Sequence, residues 1–289
     1  RQMCIRDRGK IVLITGATDG IGLVTARELA RLGATVVAVG RNADKTTAVV
    51  ERIRTETGNP HVEGLLADLS SQHDIHRLAQ QFTERHDRLH VLLNNAGALF
   101  HPRRESVDGI EMTFALNHLG YFLLTNLLLD VLKASAPSRI VNVSSAAHRR
   151  GKLNFDDLQR QRGYQGMGVY SASKLANVLF TYELARRLRG TGVTVNAVHP
   201  GLVATRFALG SSWVGRVLRD LIWCFGISPE QGARTLIYLA SSPEVEGVTG
   251  KYFQNEKAIE SSLASQDEDA ARRLWEISES LTQRAPSAS

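Results

Sequence analysis

Short apolar runs alternate with longer helical segments along the chain, from Ile11 to about Ala240. The runs are rich in β-branched residues and most are apolar throughout, which is typical of strands that are covered on both faces. No linker rich in proline or serine interrupts the alternation, so we predict a single α/β domain. The predicted strands are residues 11–15, 35–39, 61–66, 91–94, 140–143, 193–198 and, more weakly, 251–253.

Helical periodicity between these strands predicts helices at residues 21–32, 43–57, 72–86, 108–133, 169–190, 230–241 and about 267–282. Strands joined by helices form right-handed crossovers. The predicted fold class is therefore a doubly wound parallel sheet of the Rossmann type, with about seven strands and helices on both faces. Residues 202–227 break the alternation and are predicted to be an insertion over a site. We expect a disordered or non-native segment at 1–8, the domain at 9–255, and a C-terminal helix and tail at 256–289.

Composition and charge exclude several classes of protein. Hydrophobic residues make up 43% of the 289 positions and charged residues 22%, which excludes collagen-like, disordered and low-complexity chains. The net charge of +6 lies in short clusters rather than in a basic stripe, so we expect no nucleic-acid partner. Cys4 and Cys224 match no metal-ligand spacing, which predicts no metal site and favours a reducing compartment such as the cytoplasm. The uncharged stretch at 112–129 contains Asn117 and His118 and is predicted to be a buried helix rather than a membrane span.

A glycine-rich loop, TGATDGIG, joins the first predicted strand to the first helix over residues 15–22. Glycine lets the backbone approach a pyrophosphate closely, and the start of a helix offers N–H groups and a favourable dipole. A tight strand-to-helix turn is the alternative, because glycine turns are common in α/β proteins. The pattern of this loop therefore indicates a nucleotide-binding site.

The Gly-x3-Gly-x-Gly spacing of this loop resembles the signature of the short-chain dehydrogenase/reductase family. Further motifs follow in the family's order: NNAG at 94–97, Asn117, YSASK at 170–174 and HPG at 199–201. The resemblance covers residues from about 9 to 255. The chain is most similar to the retinol dehydrogenase-like branch, in NHLG at 117–120, SASKLAN at 171–177, KYF at 251–253 and the 25-residue separation of Ser145 and Tyr170.

The end of the second predicted strand bears on the choice of nicotinamide cofactor. Arg41 stands where a carboxylate would hold the ribose of NAD, and its guanidinium suits the 2′-phosphate of NADP. We therefore expect NADP(H) in preference to NAD(H). An exposed loop arginine is the alternative, and Asp19 stands where relatives that prefer NADP often carry a neutral or basic residue. Asp68 is alternatively a cap of the helix that begins near Ser71. The resemblance implies these cofactor-binding residues: Gly16, Thr18, Asp19, Gly20, Ile21, Gly22, Arg41, Asp68, Leu69, Asn95, Ala96, Gly97, Tyr170, Lys174, Pro200, Gly201, Val203 and Thr205.

Tyr170 and Lys174 are four residues apart, so a helix places them on one face. A lysine cation beside the phenol is expected to lower the tyrosine pKa from its usual value of about 10, which suits acid–base chemistry near neutrality. A bare Tyr-x3-Lys pair is usually structural.

The resemblance implies that Ser145 donates to a substrate carbonyl oxygen, with Ser144 as the alternative. It also implies that Asn117 supports a water that links Lys174 to solvent, and a plain asparagine at a helix kink is the alternative. Asn117, Ser145, Tyr170 and Lys174 are the predicted catalytic residues.

The predicted insertion at 202–227 carries large apolar side chains, and Phe207 and Trp213 are predicted with Ser145 to contact the substrate. We expect an apolar aldehyde or ketone, of the retinoid, lipid-aldehyde or steroid kind by analogy with the branch. The alternative is that these side chains only pack against the sheet. Residues 213–227 also suit a peripheral contact with a membrane surface.

Two other functions are compatible with the same residues. One is a non-catalytic NADP(H)-sensing module, against which the complete set of Asn, Ser, Tyr and Lys argues. The other is C=C reduction or epimerisation at the same Tyr-Lys pair. The resemblance also implies a homo-oligomer, a dimer or tetramer, in which the helices at 108–133 and 169–190 pair across a two-fold axis.

Overall fold

A computed structural model describes residues 7–201 and 227–283 of the chain. Its strands are β1 (Ile11–Thr15), β2 (Thr35–Gly40), β3 (Val62–Leu66), β4 (Val91–Asn94), β5 (Ser138–Val143), β6 (Val193–His199), β7 (Lys251–Gln254) and β8 (Lys257–Ile259). They form one sheet in the order β3-β2-β1-β4-β5-β6-β7-β8, in which every pair is parallel except β7–β8. The prediction of a doubly wound α/β domain is confirmed.

The predicted strands agree with β1 to β7 to within two residues at each end. β8 lies outside the predicted set. All three of its residues are exposed, so it has neither the apolar run nor the alternation that marks a buried strand. Within the described residues, it is an antiparallel edge strand that pairs with β7.

The helices are α1 (Gly20–Arg31), α2 (Ala43–Thr57), α3 (Gln72–Arg85), α4 (Met112–Phe114), α5 (Gly120–Leu127), α6 (Leu129–Ala134), α7 (Gly166–Arg187), α8 (Pro229–Ser241) and α9 (Glu268–Thr282). In the structure, the helical region predicted at 108–133 starts later, at Met112, and is divided. Glu105 pairs with Glu111 in a short antiparallel bridge, Gly109 turns the chain at a φ of +71°, and the Glu111 carboxylate then caps α4. A π-helical turn, Ala115–Leu119, separates α4 from α5.

Two hydrophobic layers cover the sheet, and neighbouring residues of one strand enter different layers. Leu13 of β1 packs with residues of α3, α5 and α7. Val12 and Ile14 pack on the opposite face with residues of α1, α2 and α8. Because both faces are buried, the strands are apolar throughout.

Helix α9 packs against α5 and α7 of the same chain. The Trp275 ring lies 4.9 Å from that of Phe122 and 5.9 Å from that of Phe180, and the guanidinium of Arg187 lies 4.1 Å from the Trp275 ring centre. Residues of α5 and α7 that face α9 are thus covered within the chain. Pairing of the two helical regions in a homo-oligomer stays a prediction.

Candidate active site

The carboxyl ends of the parallel strands β1 to β7 lie along one edge of the sheet. β1 lies between β2 and β4, so the strand order reverses at β1. In open parallel sheets, ligands bind in the crevice outside such a reversal. The glycine loop that follows β1 and the NNAG segment that ends β4 are both at this crevice.

The glycine loop lies close to the first turn of α1. Gly16 has a φ of +66°, and a Cβ added to Gly22 would stand 2.3 Å from the carbonyl oxygen of Gly16. The Asn95 Nδ2 donates to the carbonyl oxygens of Thr15, at 2.8 Å, and Gly16, at 3.3 Å, which holds the loop to the end of β4. α1 begins at Gly20, so the positive end of its dipole lies at this loop. These residues fit the pyrophosphate of a dinucleotide cofactor.

Two cations lie near the end of β2. Arg41 is exposed and has no hydrogen bond or ion pair with another residue of the described ranges. The Lys45 Nζ is 2.8 Å from the Asp19 Oδ2, so Lys45 offsets the carboxylate in the glycine loop. The Asp19 carboxylate therefore opposes the binding of a phosphate less strongly than its position in the sequence predicts. Lys45 is absent from the predicted site, because nothing local to α2 indicates a contact 26 residues away.

Asp68 and Leu69 follow β3. The Asp68 Oδ1 accepts hydrogen bonds from the backbone N–H, at 2.9 Å, and the hydroxyl, at 2.6 Å, of Ser70. The cap of α3 is instead Ser71, whose Oγ accepts from the backbone N–H of Asp74 at 3.3 Å. Leu69 is buried in the core that contains α3 and α5. A contact of either residue with adenine stays a prediction.

The four predicted catalytic side chains lie around one point at the ends of β4 and β5. Tyr170 and Ser145 share a side-chain hydrogen bond. The Lys174 Nζ lies 5.7 Å from the centre of the Tyr170 ring and donates to the carbonyl oxygen of Val143 at 3.0 Å. Asn117 is the fourth residue, and Gly97 lies close to both Asn117 and Lys174. A Cβ added to Gly97 would lie 3.4 Å from the Lys174 Nζ and 3.2 Å from the Asn117 Oδ1.

The two serines that follow β5 are oriented differently. The Ser144 hydroxyl is buried and donates to the backbone carbonyl oxygen of Lys174 at 2.7 Å. Ser145 is partly exposed, accepts from the backbone N–H of Ala147 at 3.2 Å and contacts Tyr170. Only Ser145 is thus placed to meet a ligand beside the phenol, and Ser144 holds β5 to α7.

Burial sets the protonation of the Tyr170-Lys174 pair. It raises the pKa of Tyr170 to about 12, an effect that the hydrogen bond from Ser145 opposes. It lowers the pKa of Lys174 from 10.5 to about 7. The Tyr170 pKa is therefore raised, whereas the sequence predicts that it is lowered, because desolvation of the phenolate is the largest cause of the shift. At neutral pH, Tyr170 keeps its proton, which suits a proton donor.

Asn117 lies in the π-helical turn, and both ends of its amide are hydrogen bonded. Its Oδ1 accepts from the Ala98 N–H at 2.8 Å, and its Nδ2 donates to the Ala98 carbonyl oxygen at 2.9 Å and to the Ser173 Oγ at 3.0 Å. The Ser173 hydroxyl in turn donates to the carbonyl oxygen of Tyr170 at 2.7 Å. Asn117 thus joins the segment after β4 to α7. Its support of a water beside Lys174 stays a prediction.

Comparison with known proteins agrees with this geometry. The family model described as short chain dehydrogenase matches residues 10–212. The chain belongs to the short-chain dehydrogenase family.

Mouse retinol dehydrogenase 14 is 47% identical over 284 residues, which cover 94% of this chain and 85% of that protein. Human polyprenol dehydrogenase is 45% identical over 280 residues, with the same two coverages of 94% and 85%. A Burkholderia cenocepacia short-chain dehydrogenase, solved in complex with NADP, has a TM-score of 0.68 at 26% identity and covers 86% of this chain and 96% of its own. The predicted resemblance to the family and to its retinol dehydrogenase-like branch is confirmed.

Tyr121 lies beside this dehydrogenase site and is missing from the predicted residues. The Lys174 Nζ is 5.7 Å from the centre of its ring, as it is from that of Tyr170. Tyr121 is 1% exposed, and its hydroxyl has no hydrogen-bond partner among the described residues. It follows Asn117 by one helical turn, and this i, i+4 spacing is the signal that indicates it.

Several predicted residues of this dehydrogenase lie outside the described part of the chain. They are Val203, Thr205, Phe207 and Trp213, which belong to residues 202–226 of the predicted insertion at 202–227. The same gap includes residues 213–226 of the predicted membrane-contact segment at 213–227. Pro200 and Gly201 follow β6, and the Gly201 N–H donates to the His199 Nδ1 at 3.3 Å.

Within residues 7–201 and 227–283, no helix is long and apolar enough to cross a membrane. In the same ranges, no three His, Cys, Asp or Glu side chains form a group that could hold a metal ion.

Substitution of Lys174 by methionine is expected to raise the Tm at pH 7 by roughly 5 °C while it removes activity. Between about pH 7 and 10.5 the unfolded chain holds the lysine proton and the folded protein does not, so the wild type becomes more stable as pH rises through this window. The variant lacks this dependence. The Val143 carbonyl oxygen keeps a donor, because the Asn177 Nδ2 also donates to it, at 3.2 Å.

Thermal denaturation of both proteins from pH 6 to 10 measures this effect, with the exposed Lys152→Met as the control. A lower Tm for Lys174→Met than for the wild type at pH 7 would show that burial of this lysine does not penalise the folded state.

Proposed function

We propose that this protein is an NADP(H)-dependent oxidoreductase that interconverts an apolar aldehyde or ketone and its alcohol. The observation that carries the proposal is the arrangement around the partly buried Tyr170. Its phenol is hydrogen bonded to Ser145 and lies beside Lys174, at the sheet edge where the glycine loop fits a dinucleotide. An acid, a second hydroxyl donor and a nearby lysine are groups that can protonate a carbonyl oxygen and stabilise the negative charge that develops during its reduction.

The bound cofactor, NADPH in the direction of reduction, supplies the hydride that the carbonyl carbon accepts. Ser145 and Tyr170 both donate hydrogen bonds to the carbonyl oxygen, where negative charge develops. Tyr170 then transfers its proton to this oxygen, which completes the alcohol and leaves a phenolate. The ammonium group of Lys174 stabilises the phenolate until a proton from solvent restores the phenol, and Asn117 supports that route. Oxidation of the alcohol uses the same groups in reverse.

The cofactor residues divide by the part of NADP(H) that they hold. The residues of the glycine loop bind the pyrophosphate, and Arg41 binds the 2′-phosphate. Asp68 and Leu69 flank the adenine, and the backbone of Asn95, Ala96 and Gly97 lines a ribose. Pro200, Gly201, Val203 and Thr205 hold the carboxamide of the nicotinamide.

Two observations support an apolar substrate, one from the names of the relatives and one from the sequence. Retinol and polyprenol, which name two of the relatives, are both long isoprenoid alcohols. The predicted substrate segment at 202–227 is rich in large apolar side chains and in tryptophan. We therefore place retinoid, lipid-aldehyde and steroid-like carbonyl compounds first among the candidates.

Arg41→Ala is expected to weaken NADPH binding roughly 30-fold, because a charge-assisted hydrogen bond to the 2′-phosphate is lost. NADH lacks this phosphate, so its Kd should change by less than about twofold. Titration of both nucleotides by nucleotide fluorescence measures the two Kd values. The control is Arg189→Ala, another exposed arginine, which lies just past α7. Equal losses for NADPH and NADH would exclude the phosphate contact.

The proposed function is tested by NADPH consumption with retinal, a long-chain aldehyde, a steroid ketone and an aromatic ketone, followed by identification of the products. Formation of the alcohol confirms the proposal and ranks the substrates. A saturated C=C bond with the carbonyl intact would assign C=C reduction instead, and an inverted stereocentre without net NADPH consumption would assign epimerisation. Tight NADPH binding without product from any of these compounds would indicate a sensor module.

A further inference from the structure

His148 lies three residues after Ser145, in the 3-10 turn Ala146–Arg150, and its side chain is fully buried. Both ring nitrogens are hydrogen bonded. The Nε2 accepts from the backbone N–H of Ser262 at 3.1 Å, so the ring proton is on Nδ1. The Nδ1–H then donates to the carbonyl oxygen of Ser145 at 2.7 Å. The contacts thus determine the tautomer of His148.

The Ser145 carbonyl oxygen receives a second hydrogen bond, from the backbone N–H of His148 at 3.0 Å. Ser145 itself is extended, with a φ of −161° and a ψ of 157°. Two donors on its carbonyl fix the peptide plane that follows it, and at the observed ψ this plane determines the direction of the Cα–Cβ bond. The hydroxyl is thereby held between the Ala147 N–H and Tyr170.

The imidazole is itself held in place from the C-terminal part of the chain. The Tyr252 ring of β7 packs on it with the ring centres 4.7 Å apart. The two residues before Ser262 are also held: the Arg149 Nη2 donates to the Glu260 carbonyl oxygen at 2.5 Å, and the Tyr182 hydroxyl donates to the Ser261 Oγ at 2.8 Å. The segment after β8 therefore contacts the backbone of Ser145 through His148.

We infer that His148 is a positioning residue for the reaction, which aims the Ser145 hydroxyl at the substrate carbonyl by holding the Ser145 backbone. The inference rests on the proposed function. It also explains why an imidazole, rather than an apolar residue, occupies a fully buried place beside the site. An apolar side chain would leave the Ser262 N–H without its acceptor and the Ser145 carbonyl with one donor fewer.

Two substitutions separate the two contacts of the ring. In His148→Asn, the amide NH₂ can stand near the place of Nδ1 and keep the donor to Ser145, while the contact with Ser262 is lost. In His148→Gln, the longer amide can stand near the place of Nε2 and accept from Ser262, while the donor to Ser145 is lost. We expect His148→Gln to lower kcat for carbonyl reduction roughly 30-fold at unchanged KM for NADPH. We expect His148→Asn to retain kcat within roughly threefold.

The Tm and the NADPH Kd of both variants are measured beside kcat to report folding and the cofactor site. A larger loss of kcat in His148→Asn than in His148→Gln, or equal losses, would overturn the inference in favour of a purely structural anchor for the C-terminal segment. Imidazole ¹⁵N shifts of the wild type provide a readout that does not depend on activity: a proton on Nε2 would also overturn it. Absence of carbonyl turnover by the wild type would overturn the proposed function, and this inference with it. Normal wild-type turnover with unaffected His148→Gln overturns the positioning role alone.

Discussion

Tyr170→Phe is expected to lower kcat for carbonyl reduction roughly 10³-fold while the Kd for NADPH changes less than about twofold. The substitution removes only the phenolic O–H, and the ring that packs beside Lys174 remains. Because burial raises the pKa of Tyr170 to about 12, the wild-type phenol carries its proton throughout the neutral range. The loss of rate thus reports the missing proton donor and not a change of ionisation. Initial rates of NADPH consumption and a fluorescence titration of NADPH measure the two quantities.

Tyr238→Phe is the matched control, because this phenol is also hydrogen bonded, to the Glu244 Oε2 at 3.0 Å, and lies on α8, away from the predicted catalytic residues. Its kcat should equal that of the wild type. Turnover that survives in Tyr170→Phe would reassign the proton donor to another group, for which the neighbouring Ser145 hydroxyl is a candidate.

Features that depend on residues close together in the sequence could be predicted. The strands are buried on both faces and so appear as apolar runs, and the helices carry local start signals, such as the capping box of Ser228 and Gln231 that begins α8. β8 and the start of α4 could not be predicted in this way. β8 is exposed, and α4 is delayed by the bridge between Glu105 and Glu111.

The same distinction applies to the site. The Tyr170-Lys174 spacing predicts a shared helix face, which the structure has. The pKa of Tyr170 depends instead on burial by elements distant in the sequence, so its direction could not be predicted from the pair alone. The ion pair of Lys45 with Asp19 is likewise long-range. Tyr121, which contacts Lys174, is indicated locally by its i, i+4 spacing from Asn117. Motifs identify the reacting groups, and tertiary packing sets their protonation and neighbours.

Gly22→Ala is expected to weaken NADPH binding roughly 100-fold and to lower the Tm by several degrees, in proportion to an overpacking penalty of about 1–3 kcal/mol. The added Cβ would stand 2.3 Å from the Gly16 carbonyl oxygen and 2.5 Å from the Asn95 Nδ2. Both neighbours are held, since the Asn95 amide is bonded to the loop and Gly16 is the turn itself. α1 must therefore move away from the loop, which separates the helix N-terminus from the place of the pyrophosphate.

Gly168→Ala distinguishes this close approach from a general effect of alanine in a first helical turn. Gly168 is the third residue of α7, as Gly22 is of α1, and a Cβ added to it would lie 3.7 Å from the Gln165 Cβ and meet nothing closer among the described residues. Its Tm should rise slightly, because alanine favours helix more than glycine does. If the two variants bind NADPH equally well, the glycine loop does not approach the cofactor, and binding must depend on the Arg41 side of the crevice instead.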